Sequence, residues 1–125
     1  MTTNAQARFY ESIPVHSLST SPRFEAALSL LRKVRAQRLL DIGCGDGSNC
    51  ILAAQATGAN ELYGVDISPK AVDLASAKGI QAFEVNVDDA DLPFKDGYFD
   101  LVICLEVVEH LYDTDHLMNE IHRVL

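Results

Sequence analysis

The chain has 125 residues, a hydrophobic fraction of 48% and a formal net charge of −8, with a sequence pI near 4.7. This is the size of one domain, with enough apolar material for a core. The acidic balance argues against non-specific binding to a nucleic-acid backbone, which needs a basic stripe. Cys44, Cys50 and Cys104 show no paired CxxC spacing, so neither a zinc site nor a disulfide framework is indicated, and a reducing, cytoplasmic setting is expected. No stretch has the pattern of a signal peptide or the length of a bilayer span, so a soluble protein without a membrane partner is expected.

Residues 1–22 are polar and broken by Pro14 and Pro22, which reads as an N-terminal arm that Phe9, Tyr10 and Ile13 could dock. Ser21 then offers an N-cap, and Pro22 a first-turn proline, for a helix over about residues 22–37 whose buried stripe is expected to be Ala26, Ala27, Leu30, Leu31 and Val34. The cluster Arg32, Lys33, Arg35 and Arg38 reads as a solvated face. Next come a strand at 38–42, a helix at 48–57, a strand at 61–65, a helix at 69–78 and a strand at 80–85. A loop over 86–97 precedes a strand at 99–105, and a helix at 114–125 closes the chain. Strands separated by helices imply parallel pairing through right-handed crossovers. Leu39-Leu40 and Leu101 to Leu105 are apolar on both faces, as central parallel strands must be. The last helix reaches Leu125 without a terminating glycine or proline, and no strand follows to cover the fourth one. A domain over residues 23–125, incomplete at its C-terminus, is therefore expected.

The most informative stretch is Leu39-Leu40-Asp41-Ile42-Gly43-Cys44-Gly45-Asp46-Gly47: a strand, then three alternating glycines opening a helix. Such a turn lets a backbone approach a ligand, or is merely tight. Asp66, at the end of the next strand, stands about 20 residues beyond the glycines, the spacing expected for a partner of ribose hydroxyls. Without a ligand it would cap the helix that begins at Pro69. A dinucleotide would bring a pyrophosphate to the helix N-terminus, where Asp46 repels it, and Ser48 stands where that fingerprint has glycine. Both departures suit a ligand without phosphate, such as S-adenosylmethionine with its sulfonium and α-amino group. Asp88, Asp89 and Asp91 follow the third strand, where a carboxylate can accept from the amino group of adenine.

Leu39 to Gly47, Tyr63 to Ser68, Asp88 to Phe94 and Phe99 to His110 resemble, in order and spacing, the successive motifs of the class I, Rossmann-like S-adenosylmethionine-dependent methyltransferases. The resemblance implies an α/β fold, a Rossmann-like parallel sheet with helices on both faces, here truncated after the fourth strand and its following helix. The family's sheet has its third, second and first strands on one side of the switch point and its fourth onward on the other. The resemblance also implies that Gly43, Gly45 and Gly47 approach the methionine part of the cofactor, with Asp41 near its amino group. Asp66 would bind the ribose diol, Ile67 would pack on adenine, Asp88 with the backbone of Asp89 would hold the adenine edge, and Leu105 would line the sulfonium.

Methyl transfer from a sulfonium is an in-line displacement with an already activated electrophile, so aligning the acceptor and, for a hydroxyl or amine, removing a proton are the protein's tasks. Glu106, Glu109 and His110 follow the fourth strand. They can brace the loop; His110 can be a general base; or all three can be metal ligands, as in the similar segment of small-RNA 2′-O-methyltransferases. The metal reading lacks the further downstream histidine of that family, so no metal is assigned. Cys44 reads as a small residue that fits its turn, and His116 and His122 as exposed helix residues. The expected function is methyl transfer from S-adenosylmethionine to a small-molecule acceptor. Oxygen is favoured because Leu105 to His110 is similar to the segment of quinone-biosynthesis O-methyltransferases. The alternatives are a non-catalytic nucleotide-binding module of the same fold, or an RNA 2′-O-methyltransferase.

Overall fold

A computed structural model of the chain describes residues 21–105 and 107–125. The expected arm, with Phe9, Tyr10, Ile13 and His16, and the acid Glu106 lie outside the described residues. Helix α1 spans Pro22–Leu31, and its Ser21 cap accepts from the Phe24 N–H at 3.1 Å. Then come β1 (Arg38–Ile42), α2 (Ser48–Thr57), β2 (Glu61–Asp66), α3 (Pro69–Ala77), β3 (Gln81–Glu84), β4 (Leu101–Cys104), a 3-10 turn at Val108–His110 and α4 (Thr114–Val124). Every expected helix and strand is present, and the 3-10 turn is an addition.

The four strands form one sheet in the order β3-β2-β1-β4, and every pair is parallel. The order reverses between β1 and β4, so the crevice at a switch point lies above the C-terminal ends of those strands. Side chains alternate across the sheet. Leu39 and Ile103 pack with Phe24, Leu28 and Leu31 of α1, Cys50, Ala53 and Ala54 of α2, and Ala75 of α3. Leu40, Ile42, Tyr63 and Val65 pack on the opposite face with Val87, Leu92, Phe99, Leu117 and Val124. Each large side chain fully buried this way contributes about 1.5–3 kcal/mol. The result is a sheet with helices on both faces.

Two expectations for α1 are corrected. Its buried stripe is Phe24, Leu28 and Leu31, whereas Leu30 is 67% and Val34 40% exposed. Both rows satisfy a helical period, and the one carrying the aromatic ring has more apolar area to bury. The helix also stops at Leu31 rather than running on to residue 37. Its last turn tightens into Lys33 N–H to Leu30 O and Val34 N–H to Leu31 O, after which the Ala36 N–H donates to Thr57 O and the chain enters β1. Asp100 secures that entry by accepting from the Gln37 and Arg38 N–H groups at 2.8 and 2.9 Å, and these bonds hold its carboxyl below the usual carboxylate range.

An arginine makes most of the bonds that fasten helix α4 to the loop after β3. Arg123 donates to Leu92 O, Phe94 O and Asp96 Oδ1, and its Nε and Nη2 meet both oxygens of Glu120. Glu120 in turn accepts from the Leu92 N–H at 2.7 Å. Arg123→Ala leaves the buried carboxylate of Glu120 and two carbonyls without this partner. It is expected to lower stability by about 2 kcal/mol in urea unfolding, more than a surface substitution costs; a loss within about 0.5 kcal/mol contradicts the clamp.

Candidate functional site

Asp66 is where the glycine turn, β2 and α3 meet. Its Oδ2 accepts from the Gly45 N–H at 2.9 Å and its Oδ1 from the Ser68 N–H at 2.9 Å. The helix cap expected of Asp66 belongs to Ser68, whose Oγ accepts from the Ala71 N–H at 3.2 Å. A carboxylate offers about four lone-pair sites, more than the Gly45, Ser68 and Ile67 N–H groups take up. Burial raises the Asp66 pKa, and the N–H bonds oppose that rise.

The turn is a second fixed piece. Gly43, Gly45 and Gly47 take φ of +73°, +56° and +89°, a region in which side chains with a Cβ are strained. The Gly43 and Cys44 N–H groups both donate to Val65 O, at 2.8 and 3.0 Å. Two of the glycines are also required by the protein's own packing. A Cβ on Gly43 would strike the Val107 side chain, and one on Gly47 would meet Ile80 and Ala75. Gly64 on β2 belongs to the same device, since a Cβ there would lie 2.8 Å from the Cys44 sulfur. Nothing in the local sequence around Gly64 signals this role. Cys44 is buried, and its thiol is pushed up by burial and by Asp41 and Asp66, so it is a fitted, unreactive residue.

The charge on the turn differs from the reading of Asp46 as a bare anion. Asp46 Oδ1 accepts from the Ser48 N–H at 2.9 Å, and Lys78 donates to Asp46 O at 2.7 Å with its ammonium 3.6 Å from Oδ2. Lys78 offsets the repulsion of a phosphate, so Asp46 alone does not exclude one. Among the described residues no ion pair joins Asp41 to a cation. Asp41 is 5% exposed, and its pKa is pushed up to about 8 by burial and then by the charge of Asp66.

The remaining candidates line the same edge of the sheet. Ile67, half-buried, lies between Asp66 and Ser68. Asp88 uses Oδ1 to accept from the Tyr112 and Asp113 N–H groups, both at 2.8 Å, and so ties the loop after β3 to the loop after β4. The Asp89 N–H donates to Asn86 O at 3.2 Å within the turn, a long bond that a ligand acceptor can share. Leu105, directly after β4, is 37% exposed. His110 and Glu109 are exposed on the 3-10 turn, with Nε2 and Oε1 3.8 Å apart. The third acid of the metal reading, Glu106, is outside the described residues. His116 corrects an expectation: it is half-buried, with its ring 3.0 Å from Ala90 O and 3.4 Å from Asp91, because α4 docks on the acidic loop. His122 is exposed as expected.

The site therefore has two acids at the ends of adjacent strands, a rigid glycine turn between them, and an acid-bearing loop tied across the mouth. A family model described as a methyltransferase domain matches residues 40–125, and the chain belongs to that family. Among curated proteins it is 37% identical over 97 residues to norajmaline N-methyltransferase of Rauvolfia serpentina, covering 72% of this chain and 32% of that one. It is 32% identical over 122 residues to the chloroplastic tocopherol O-methyltransferase of Arabidopsis thaliana, covering 92% and 34%. A Haemonchus contortus N-methyltransferase 2, solved in complex with phosphomonomethylethanolamine and S-adenosylhomocysteine, is similar at 27% identity and a TM-score of 0.67, over 81% of this chain and 26% of that one. The chain thus spans about a third of the length of these curated relatives.

A carboxyl raised by folding supports stability fully below its unfolded pKa and loses that support as pH rises through its folded pKa. For Asp41 the window runs from its ordinary 3.8 to about 8. The ligand-free protein is expected to lose stability across that range, by roughly 5 kcal/mol as an upper bound. Asp41→Asn should be nearly neutral at pH 4 and raise the Tm at pH 8. An equal effect at both values contradicts the assignment.

Proposed function

We propose that the protein is an S-adenosylmethionine-dependent methyltransferase whose described residues hold the cofactor and whose acceptor is a small molecule, with oxygen acceptors favoured. The observation that carries this reading is the Asp66 carboxylate, bonded to the Gly45 and Ser68 N–H groups at the edge of the sheet where a ligand enters. That placement pre-orients an acceptor for two vicinal hydroxyls. Asp41, buried and with no offsetting cation among the described residues, complements an ammonium group. Ile67 and Leu105 supply apolar contact, and Asp88 with the Asp89 backbone supplies the adenine edge.

When bound, the cofactor supplies a methyl group already activated by a positive sulfur. The chain's own residues bind, orient and exclude water. His110, exposed on the turn after β4 with Glu109 3.8 Å away, is the residue this reading assigns to take the proton of an acceptor hydroxyl. The similar relatives are named as an N-methyltransferase of norajmaline and an O-methyltransferase of tocopherol, which supports a small organic acceptor. The preference for oxygen rests on His110 and its neighbouring segment. A cytoplasmic setting, with no nucleic-acid partner, goes with the acidic charge and the free cysteines.

Calorimetry with S-adenosylhomocysteine tests the cofactor assignment. Asp66→Ala is expected to weaken binding at least about tenfold, the loss of charged hydrogen bonds, and His110→Ala to leave it within about twofold. Methylation of a hydroxyl acceptor should instead fall with His110→Ala. Equal losses of cofactor binding in the two variants, or a thermal shift produced by NADH and not by S-adenosylhomocysteine, contradict the assignment.

A further inference from the structure

Asp41 stands in an environment with no evident use for its charge. It is the fourth residue of β1, flanked in register by Gly64 of β2 and Ile103 of β4, and it is 5% exposed. By the alternation of the strand its side chain shares a face with Leu39, toward the layer of α1, α2 and α3. Among the described residues, the titratable groups that act electrically with it are Asp66 from β2, Cys44 from the glycine turn, Cys50 from α2 and Cys104 from β4. All are acids or thiols. Beyond β4, Glu109 adds its charge to Cys104, and His110 sits beside Glu109. Lys78, whose ammonium reaches the turn, is held on Asp46.

We propose that Asp41 holds a proton while the site is empty and surrenders it when the ammonium group of the cofactor's amino-acid part arrives, so that cofactor binding releases a proton. This rests on the cofactor reading above and adds a chemical step to it. Only the carboxyl O–H bond breaks: its electron pair stays on Asp41, its proton passes to buffer, and the ligand's positive charge takes its place. Ionised Asp41 next to Asp66 would place two carboxylates in a poorly solvated pocket, and the proton removes that repulsion. The three surrounding thiols reinforce the arrangement. Each is held neutral chiefly by burial, with Cys104 pushed up to about 11, so none of them supplies the proton near neutrality. Asp41 thereby selects for a cation without carrying an uncompensated charge when empty.

The sign of the linkage follows from a raised carboxyl whose proton is displaced by ligand. Affinity rises as pH rises toward the empty-state value of about 8, by about tenfold per unit, and levels off there until the ligand's own ammonium deprotonates. Titration calorimetry of the full-length protein with S-adenosylhomocysteine, in buffers of different ionisation enthalpy, counts the protons. At pH 6.5 to 7 about one proton is expected to leave per ligand bound, and the release is expected to vanish as pH rises above about 8. 5′-Methylthioadenosine, which has the adenosine but no amino-acid part, is expected to bind with no proton release at any pH. Asp41→Asn is expected to abolish the release with S-adenosylhomocysteine, while circular dichroism and the Tm report that the variant is folded. Tight binding by the wild-type protein with no proton release, or a release that persists in Asp41→Asn and so comes from another group such as His110, overturns this proposal and leaves the cofactor assignment standing. Failure of the wild-type protein to bind S-adenosylhomocysteine overturns that assignment and the proposal with it.

Discussion

One carboxylate holds the site in shape. Asp66 accepts from Gly45 on one oxygen and Ser68 on the other, so the glycine turn, the end of β2 and the start of α3 form a single rigid corner. Charged hydrogen bonds of this kind are stronger than neutral ones, and they are made here by backbone donors that have little freedom to turn away. Around that corner the rest of the site is built inward. Val65 O receives two N–H groups of the turn, Cys44 fills the space left by Gly64, and Val107 fills the space left by Gly43. A ligand meets a surface whose geometry is already set, which keeps the ordering cost of binding low.

The loops after β3 and β4 are held by a different principle, in which charge does structural work far along the chain. Asp88 reaches Tyr112 and Asp113, Arg123 reaches Leu92, Phe94 and Asp96, and His116 reaches Ala90 and Asp91. Helix α4 is therefore more than cover for the sheet: its polar side chains fix the loop that carries Asp88 and Asp89. Much of the excess acidity of the chain is spent on such bonds, as with Asp46 on Ser48 and Lys78 and Asp100 on Gln37 and Arg38. Asp41 makes no such bond among the described residues, and the proton step proposed above gives its carboxyl a chemical part to play.

The sheet was legible in the sequence because its signals are local: doubly apolar strands, a Ser-Pro start for α1, Pro69 at the start of α3, and glycines at the turn. The position of Asp66 was legible for the same reason, as a strand end at a fixed distance from the glycines. What sequence reading missed depends on partners distant along the chain. Lys78 lies 32 residues from Asp46, and Arg123 lies 29 from Phe94, and no periodicity links such pairs. The stripe of α1 was misplaced because Ala26, Leu30 and Val34 share a helical row as regular as that of Phe24, Leu28 and Leu31. Only the packed sheet decides which row is buried. His116 looked exposed for a related reason, since its partner loop has no sequence signal that it will fold against α4.

The central claim is that the edge of the sheet formed by the glycine turn, the end of β2 and the loop after β3 is the methyl-donor site. Amide NMR during titration with S-adenosylhomocysteine tests it most directly. The account predicts saturable shifts at Gly43 to Gly47, Asp66 to Ser68, Asp88 to Ala90 and Leu105, with little change at Arg35 to Arg38, Gly58 and Asp100 at the opposite end of the strands. Shifts centred on that opposite end, or no saturable shifts in the folded protein, would contradict it.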